Sequence, residues 1–202
     1  MSEPDRQLSR AGVFARALPP LLAAALAACT TILPQTPNAI YDLTAPGEIS
    51  DRQGTLQVLV PEPSALQALD TDRIAARPIP SQYAYLPGAV WSDRLPKLLQ
   101  TRLVQTLQNS GRVRAAAVPG QGLLIDYQIV MDIRAFELTG EGAVAEFGVK
   151  VMDDSSGRIV RSQVIRQVVR VAATDSNNVV VALDAAMDKA FLEIAGWALG
   201  GR

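Results

Sequence analysis

The sequence predicts one α+β domain, a mixed and largely antiparallel β-sheet with two main helices packed on it. Three observations carry that prediction. Apolar residues alternate with period two from Ile125 to Ala135 and again from Ala143 to Val151. Leucine- and alanine-rich stripes recur at helical spacing over Leu95–Leu107 and Val179–Trp197. A turn sequence, Asp153 to Gly157, separates the second alternating run from a third apolar run, so three strands follow one another between the two helices. The chain has 202 residues, 49% of them hydrophobic, enough for one core; no internal repeat or change of composition marks a second domain.

The elements follow in order. Ala39 to Ala45 reads as a first strand closed by Pro46-Gly47, and Thr55 to Val60 as a second stopped by Pro61. Between 61 and 91 the sequence predicts two extended segments, Arg73 to Arg77 and Tyr83 to Trp91, joined around Pro78 and Pro80. Ser92 to Asn109 is expected to be a helix with Ser92 as N-cap, Pro96 in the first turn, where its missing N–H costs little, and Gly111 as the stop. Leu95, Leu98, Leu99, Leu103 and Leu107 form its apolar stripe, and Arg102 intrudes on it, with its head reaching for water.

In the next run Ile125, Tyr127, Ile129, Met131, Ile133 and Ala135 take one face, while Asp126, Gln128, Asp132 and Arg134 take the other. The phase reverses at Phe136-Glu137, which predicts a bulge or the strand end. Ala143, Ala145, Phe147, Val149 and Val151 repeat the pattern, and Arg158 to Val171 completes an antiparallel meander. The last helix presents Val179, Leu183, Ala186, Met187, Ala190, Phe191, Ile194 and Trp197 on one face, with Asp175 or Ser176 as cap and Gly200-Gly201 as stop.

Composition narrows the chemistry. The chain has no histidine, so the usual general base and the commonest transition-metal ligand are absent. Its one cysteine permits neither an intrachain disulfide nor a Cys-cluster metal site. The formal charge is −1, and about −2 without residues 1–28, which leaves no basic excess to recruit nucleic acid. Gly120-Gln121-Gly122 and Gly140-Glu141-Gly142 lack the strand-to-helix setting of a phosphate cradle, and Asp153 to Gly157 lacks the alternating ligands of a calcium loop; all three read as turns. Asp126, Asp132, Glu137, Glu141 and Glu146 offer carboxylates for hydrolysis, but they fall on polar strand faces where charge is expected anyway. The sequence therefore predicts no catalytic residue, no metal site and no cofactor. Tyr83, Tyr85 and Trp91, with Leu86 and Val90 between them, form the densest aromatic cluster; they are either core filling or anchors for a binding partner, and they stand as the candidate partner-binding residues. Trp197 reads as core.

The first 28 residues have three parts: a polar stretch bearing Arg6, Arg10 and Arg16, an uncharged run over 17–28, and small residues leading to Cys29. The run is too short for a bilayer-crossing helix of about 20 residues but suits a signal-peptide core. Leu26-Ala27-Ala28-Cys29 resembles the lipobox of bacterial lipoproteins. That resemblance implies cleavage before Cys29, diacylglycerol on its sulfur, and a further acyl chain, such as palmitate, on the new amine. Two or three chains anchor a protein stably where one does not. Thr30 stands where aspartate would resemble an inner-membrane retention signal, so the expected address is the outer membrane of a Gram-negative bacterium, facing the periplasm. The expected organisation is a signal peptide over 1–28, a lipidated tether over 29–38 and a folded domain over 39–199. The nine residues 30–38 reach at most ~30 Å when extended.

From Leu56 to Trp197 the chain resembles the ABC-type transport auxiliary lipoprotein family, the PqiC-like group. The resemblance rests on "VLVPEPSALQALDTDRIAARP", on "YAYLPGAVWSDRLPKLLQTRLVQTLQNSG", on "IDYQIVMDIRAFEL" and on "ALDAAMDKAFLEIAGWAL". It implies a fold similar to the N-terminal domain of TolB, and a non-enzymatic role beside an MCE-domain protein and an ABC transporter permease and ATPase that move lipid between membranes. A homo-oligomer would suit a protein that meets a tube. The chain itself carries no GxxxxGK[ST] signature. A lipid-binding carrier and an outer-membrane assembly lipoprotein are the alternative readings.

Overall fold

The computed structural model describes residues 39–47 and 54–200. The expected signal peptide, Cys29 and the expected tether lie outside these residues. Strand β7 (Tyr127–Thr139) organises the sheet. One of its edges pairs antiparallel with β8 (Gly142–Asp153) from Tyr127↔Asp153 to Thr139↔Gly142, and β8 pairs antiparallel with β9 (Ile159–Val169). Its other edge is shared by three short strands, all parallel to it: β2 (Gln57–Leu59) at Tyr127 and Gln128, β3 (Ser64–Ala65) at Asp132 and Ile133, and β4 (Arg73–Ile79) at Glu137 and Leu138. Beyond β4 comes antiparallel β5 (Gln82–Trp91), then β1 (Ala39–Tyr41), parallel to β5; beyond β2 comes β6 (Ala115–Ala117), also parallel. Among the described residues the sheet has nine strands, and its long ladders are the antiparallel ones.

The phase reversal is a bulge. Ile133 pairs with Phe147 and Ala135 with Glu146, so Arg134 is the extra residue. Before it, Ile129, Met131 and Ile133 are buried toward the helices; after it, Phe136 takes that face, and the strand continues to Thr139. Two connections that the sequence left as short extended segments are full strands: β4 runs through Pro78, and the turn falls at Pro80-Ser81.

Helix α1 (Leu95–Asn109) buries Leu95, Leu98, Leu99, Leu103 and Leu107, as its spacing requires. Its start corrects the expected cap. Arg94 is the N-cap residue and makes no side-chain cap bond, while Ser92 remains tied to β1: its N–H donates to Tyr41 O (2.7 Å) and its Oγ to Asp42 Oδ1 (3.1 Å). Pro96 sits in the first turn and Gly111, at φ 64°, ends the helix. Arg102 lays its stem along the stripe and donates to Gln105 Oε1 (2.7 Å) and to Asp42. Two buried or half-buried amides fasten α1 to the sheet, Gln100 Nε2 to Val60 O (2.9 Å) and Gln108 Nε2 to Ala116 O (3.0 Å).

Helix α2 (Ser176–Leu199) is capped by Asp175, whose carboxylate accepts from the Asn178 N–H (3.2 Å). It packs on β7, β8 and β9, with Val179, Leu183, Ala186, Met187, Ala190, Phe191 and Ile194 buried. Between sheet and helices, Trp91, Phe136, Phe147 and Phe191 form a continuous aromatic file with centroid separations of 5.8, 6.3 and 5.6 Å. Trp197 is half-buried at the rim of this core. Gly54 marks a close approach: a Cβ there would lie 1.8 Å from Arg112 O.

Phe136 is the member of the file that the bulge places. Replacing it, Phe136→Ala, is expected to cost about 3–5 kcal/mol of unfolding free energy, read as a lower urea midpoint with an unchanged slope.

Candidate functional site

Both helices cover the face that carries Ile129, Met131, Ile133 and Phe136. Neighbours in sequence point to opposite faces, so Glu137, next to Phe136, belongs to the open face. The register extends that face across the sheet. Ala75 pairs with both Tyr85 and Glu137, Ala135 and Glu146 are partners, and Glu146 faces Arg166.

A row of aromatic and charged side chains follows. The Arg73 guanidinium lies 3.7 Å from the centroid of the Tyr85 ring, and the Tyr85 hydroxyl donates to Ala68 O (3.2 Å). The Arg77 guanidinium lies 4.4 Å from the Tyr83 centroid and also donates to the Tyr83 hydroxyl. Its Nε stands 2.9 Å from Glu137 Oε1 as an ion pair without hydrogen-bond alignment. Arg166 closes the row from β9, reaching Glu146 Oε2 (3.3 Å) and Glu141 Oε2 (2.9 Å). A cleft of about 430 Å³ opens here, lined by Glu137, Glu146 and Arg166 and rimmed by Pro78, Ile79 and Pro80.

Glu137 sets the electrostatics. Its side chain is 2% exposed, and Oε2 has no hydrogen-bond partner among the described residues. Burial pushes its carboxyl above the usual glutamate range; Arg77 pulls it down and the Glu146 charge pushes it up again.

The residues singled out in the sequence separate in space. Tyr83 and Tyr85 lie half-buried on the open face beside their arginines. Trp91 does not join them. Its ring is in the core against Phe136 and 2% exposed, so it presents no surface to a partner. The reason is local: the β4·β5 register passes from Ala75↔Tyr85 to Arg73↔Val90, and the intervening Leu86 to Ala89 bulge around Gly88, at φ 67°, reversing the phase. Of the carboxylates expected on strand faces, Glu137 and Glu146 come together with Glu141 of the intervening turn, whereas Asp126 is occupied by the Gln57 N–H (2.7 Å) and Asp132 by Arg134 (2.9 Å). Asp153 Oδ1 accepts from the Ser156 N–H (2.9 Å) and the Ser155 hydroxyl (2.7 Å) within its own turn. Sequence reasoning missed Arg73, Arg77 and Arg166, although the i, i+4 arginines of Arg73-Ile-Ala-Ala-Arg77 were a signal that this strand carries cations on one face once a strand is recognised there.

The raised carboxyl has a definite sign. A native state that holds the Glu137 proton to higher pH than the unfolded chain loses stability as pH rises from the ordinary glutamate range through the elevated native value. Glu137→Gln removes that loss. The stability of the variant minus that of the native chain is therefore expected to increase between about pH 4 and neutrality in urea unfolding; a flat difference would contradict the burial argument.

Comparison with known proteins places the fold. Residues 41–195 match the family model described as ABC-type transport auxiliary lipoprotein component. An uncharacterized protein of Bradyrhizobium diazoefficiens is 29% identical over 161 residues, 78% of this chain; the chain spans 44% of that relative's length. The crystal structure of Xanthomonas campestris protein XCC0632, of the DUF330 family, is similar with a TM-score of 0.73 at 27% identity, over 80% of this chain and 95% of that one. A second crystal structure, of an uncharacterized protein, shares the fold with a TM-score of 0.60 at 16% identity, over 77% of this chain and 95% of that one. Among the described residues no helix is long and apolar enough to cross a membrane. With the match running from β1 to the last turns of α2, the chain belongs to the family of ABC-type transport auxiliary lipoprotein components.

Proposed function

We propose that this protein is a non-enzymatic adaptor, anchored to the outer membrane through lipidated Cys29, that serves an ABC-type system moving lipid between the two envelope membranes. The observation that carries this reading is the family match over residues 41–195, supported by the resemblance of residues 26–29 to a lipobox. In this reading residues 1–28 are removed, 29–38 are the tether, and 39–199 form the domain that meets an MCE-domain protein. The permease and its ATPase supply the energy from the inner membrane. The tether's reach, at most ~30 Å, keeps the domain close to its own membrane, so the partner spans the periplasm. Tyr83 and Tyr85, on the open sheet face, are the aromatic contacts offered to a partner.

One observation favours a second reading, a lipid carrier. A groove of about 570 Å³ opens between the sheet and the end of α2, with Leu56, Val151, Val160, Ala198 and Leu199 beside Tyr127, Arg161 and Gly200 in its lining, within the size range of small-molecule sites.

The two readings part in a pull-down from detergent-solubilised envelopes with the native chain and Cys29→Ala. Co-purification of an MCE-domain protein and its permease, weakened in the variant, is the expected result. Stoichiometric phospholipid with no protein partner would replace the adaptor with the carrier. In the same cells Cys29→Ala is expected to abolish incorporation of radiolabelled palmitate and to release the protein from outer-membrane fractions on a density gradient.

A further inference from the structure

The cleft on the open sheet face holds a buried carboxylate that the fold leaves incompletely satisfied. Glu137 Oε1 stands beside Arg77, and Oε2 has no partner among the described residues although the side chain is only 2% exposed. A buried acceptor without a donor is costly, more so when it belongs to an ionisable group. Arg77 does not answer both oxygens, because its guanidinium lies over the Tyr83 ring and donates to the Tyr83 hydroxyl. Arg166 is spent as well, paired with Glu141 and Glu146. The ionisable groups lining the cleft from the surrounding strands and turn are Arg77, Glu137, Glu141, Glu146 and Arg166, so acids exceed bases by one: Arg166 is shared between Glu141 and Glu146, while Arg77 meets one oxygen of Glu137 and leaves the other open.

We propose that this cleft binds a primary ammonium group on an apolar stem, with Glu137 Oε2 accepting its hydrogen bond. The charge excess selects a cation over a neutral donor. A single free oxygen selects a compact ammonium over a guanidinium, whose fork matches two acceptors at once. Pro78, Ile79 and Pro80 on one wall and Val144 on the floor offer the stem an apolar lining. The ammonium group belongs either to a lysine side chain or to a small free alkylamine. The inference stands on the cleft alone and is independent of the membrane anchor and of lipid transport.

The test is a methyl NMR titration of the full chain, following Ile79 and Val144, with n-butylamine at neutral pH. Saturable shifts are expected, with butyltrimethylammonium, which has charge but no N–H, and butan-1-ol, which has a donor but no charge, at least tenfold weaker. Glu137→Gln is expected to weaken butylamine at least tenfold with the core methyl spectrum unchanged, and Glu146→Gln severalfold. Equal binding of the quaternary ion, undiminished binding by Glu137→Gln, or no saturable shift would overturn the proposal. If Glu137→Gln were to lose its folded spectrum, the primary-to-quaternary ratio on the native chain and the Glu146→Gln titration decide the matter. A second arm uses acetyl-Ala-Lys-Ala-amide: tighter binding than butylamine assigns the site to a lysine side chain, weaker binding to a small amine, and either supports the ammonium site.

Discussion

The double occupancy of β7 is the constraint on which this molecule depends. A central strand must find partners for its N–H and C=O groups along both edges. Here β8 alone fills one edge, and β2, β3 and β4 divide the other. Every other strand reaches the sheet through these. Parallel neighbours need crossover connections, and the fold provides them by sending the chain out through α1 between β5 and β6 before β7 is laid down. The short strands hold their places because the long one is already braced by its antiparallel partner.

One residue inside β7 decides both what the core contains and what the open face displays. The extra residue Arg134 shifts the pleat so that Phe136 enters the aromatic file and Glu137 turns the other way. Core and cleft are thus two sides of one irregularity. Local alternation that continued through Arg134 would have put a phenylalanine on the open face and a carboxylate under the helices, an arrangement far costlier than the bulge. The cleft then inherits a buried acid, which the fold offsets with an arginine that is itself stacked and hydrogen-bonded to Tyr83.

Much of this architecture was legible in the residues, and the exceptions have physical causes. The meander and both helices announce themselves because long elements repeat their period often enough to be read: Ile129, Met131 and Ile133, then Ala143 to Val151, then the two leucine and alanine stripes. Even the phase reversal at Phe136 was visible. Of the strands of two or three residues, β1 and β2 fall inside the runs that the sequence marks and prolines close, whereas β3 and β6 are too short to show any period, and the parallel pairing of all four is a long-range fact with no local trace. Ser92 had the chemistry of a cap but was committed to β1, and Trp91 was grouped with the tyrosines because a bulge at Gly88 cannot be counted from alternation. The site was less legible than the fold. Its acids stand singly in the sequence, and Arg77, Glu137 and Arg166 come from strands far apart in it, so only the register brings them together.

Strand β1 gives the molecule a mechanical character. It is the outermost strand on its side, three residues paired with β5; its last residue is pinned to α2 through Tyr41 Oη donating to Asn177 Oδ1 (2.5 Å), and the chain just beyond it through Thr44, whose N–H and hydroxyl donate to Asp184 (2.8 and 2.9 Å). Any tension on the chain preceding Ala39 arrives first at this clip rather than at the core. The N-terminal edge is therefore fastened to the helix layer as well as to the sheet, so whatever precedes Ala39 joins the domain at a point held independently of β7.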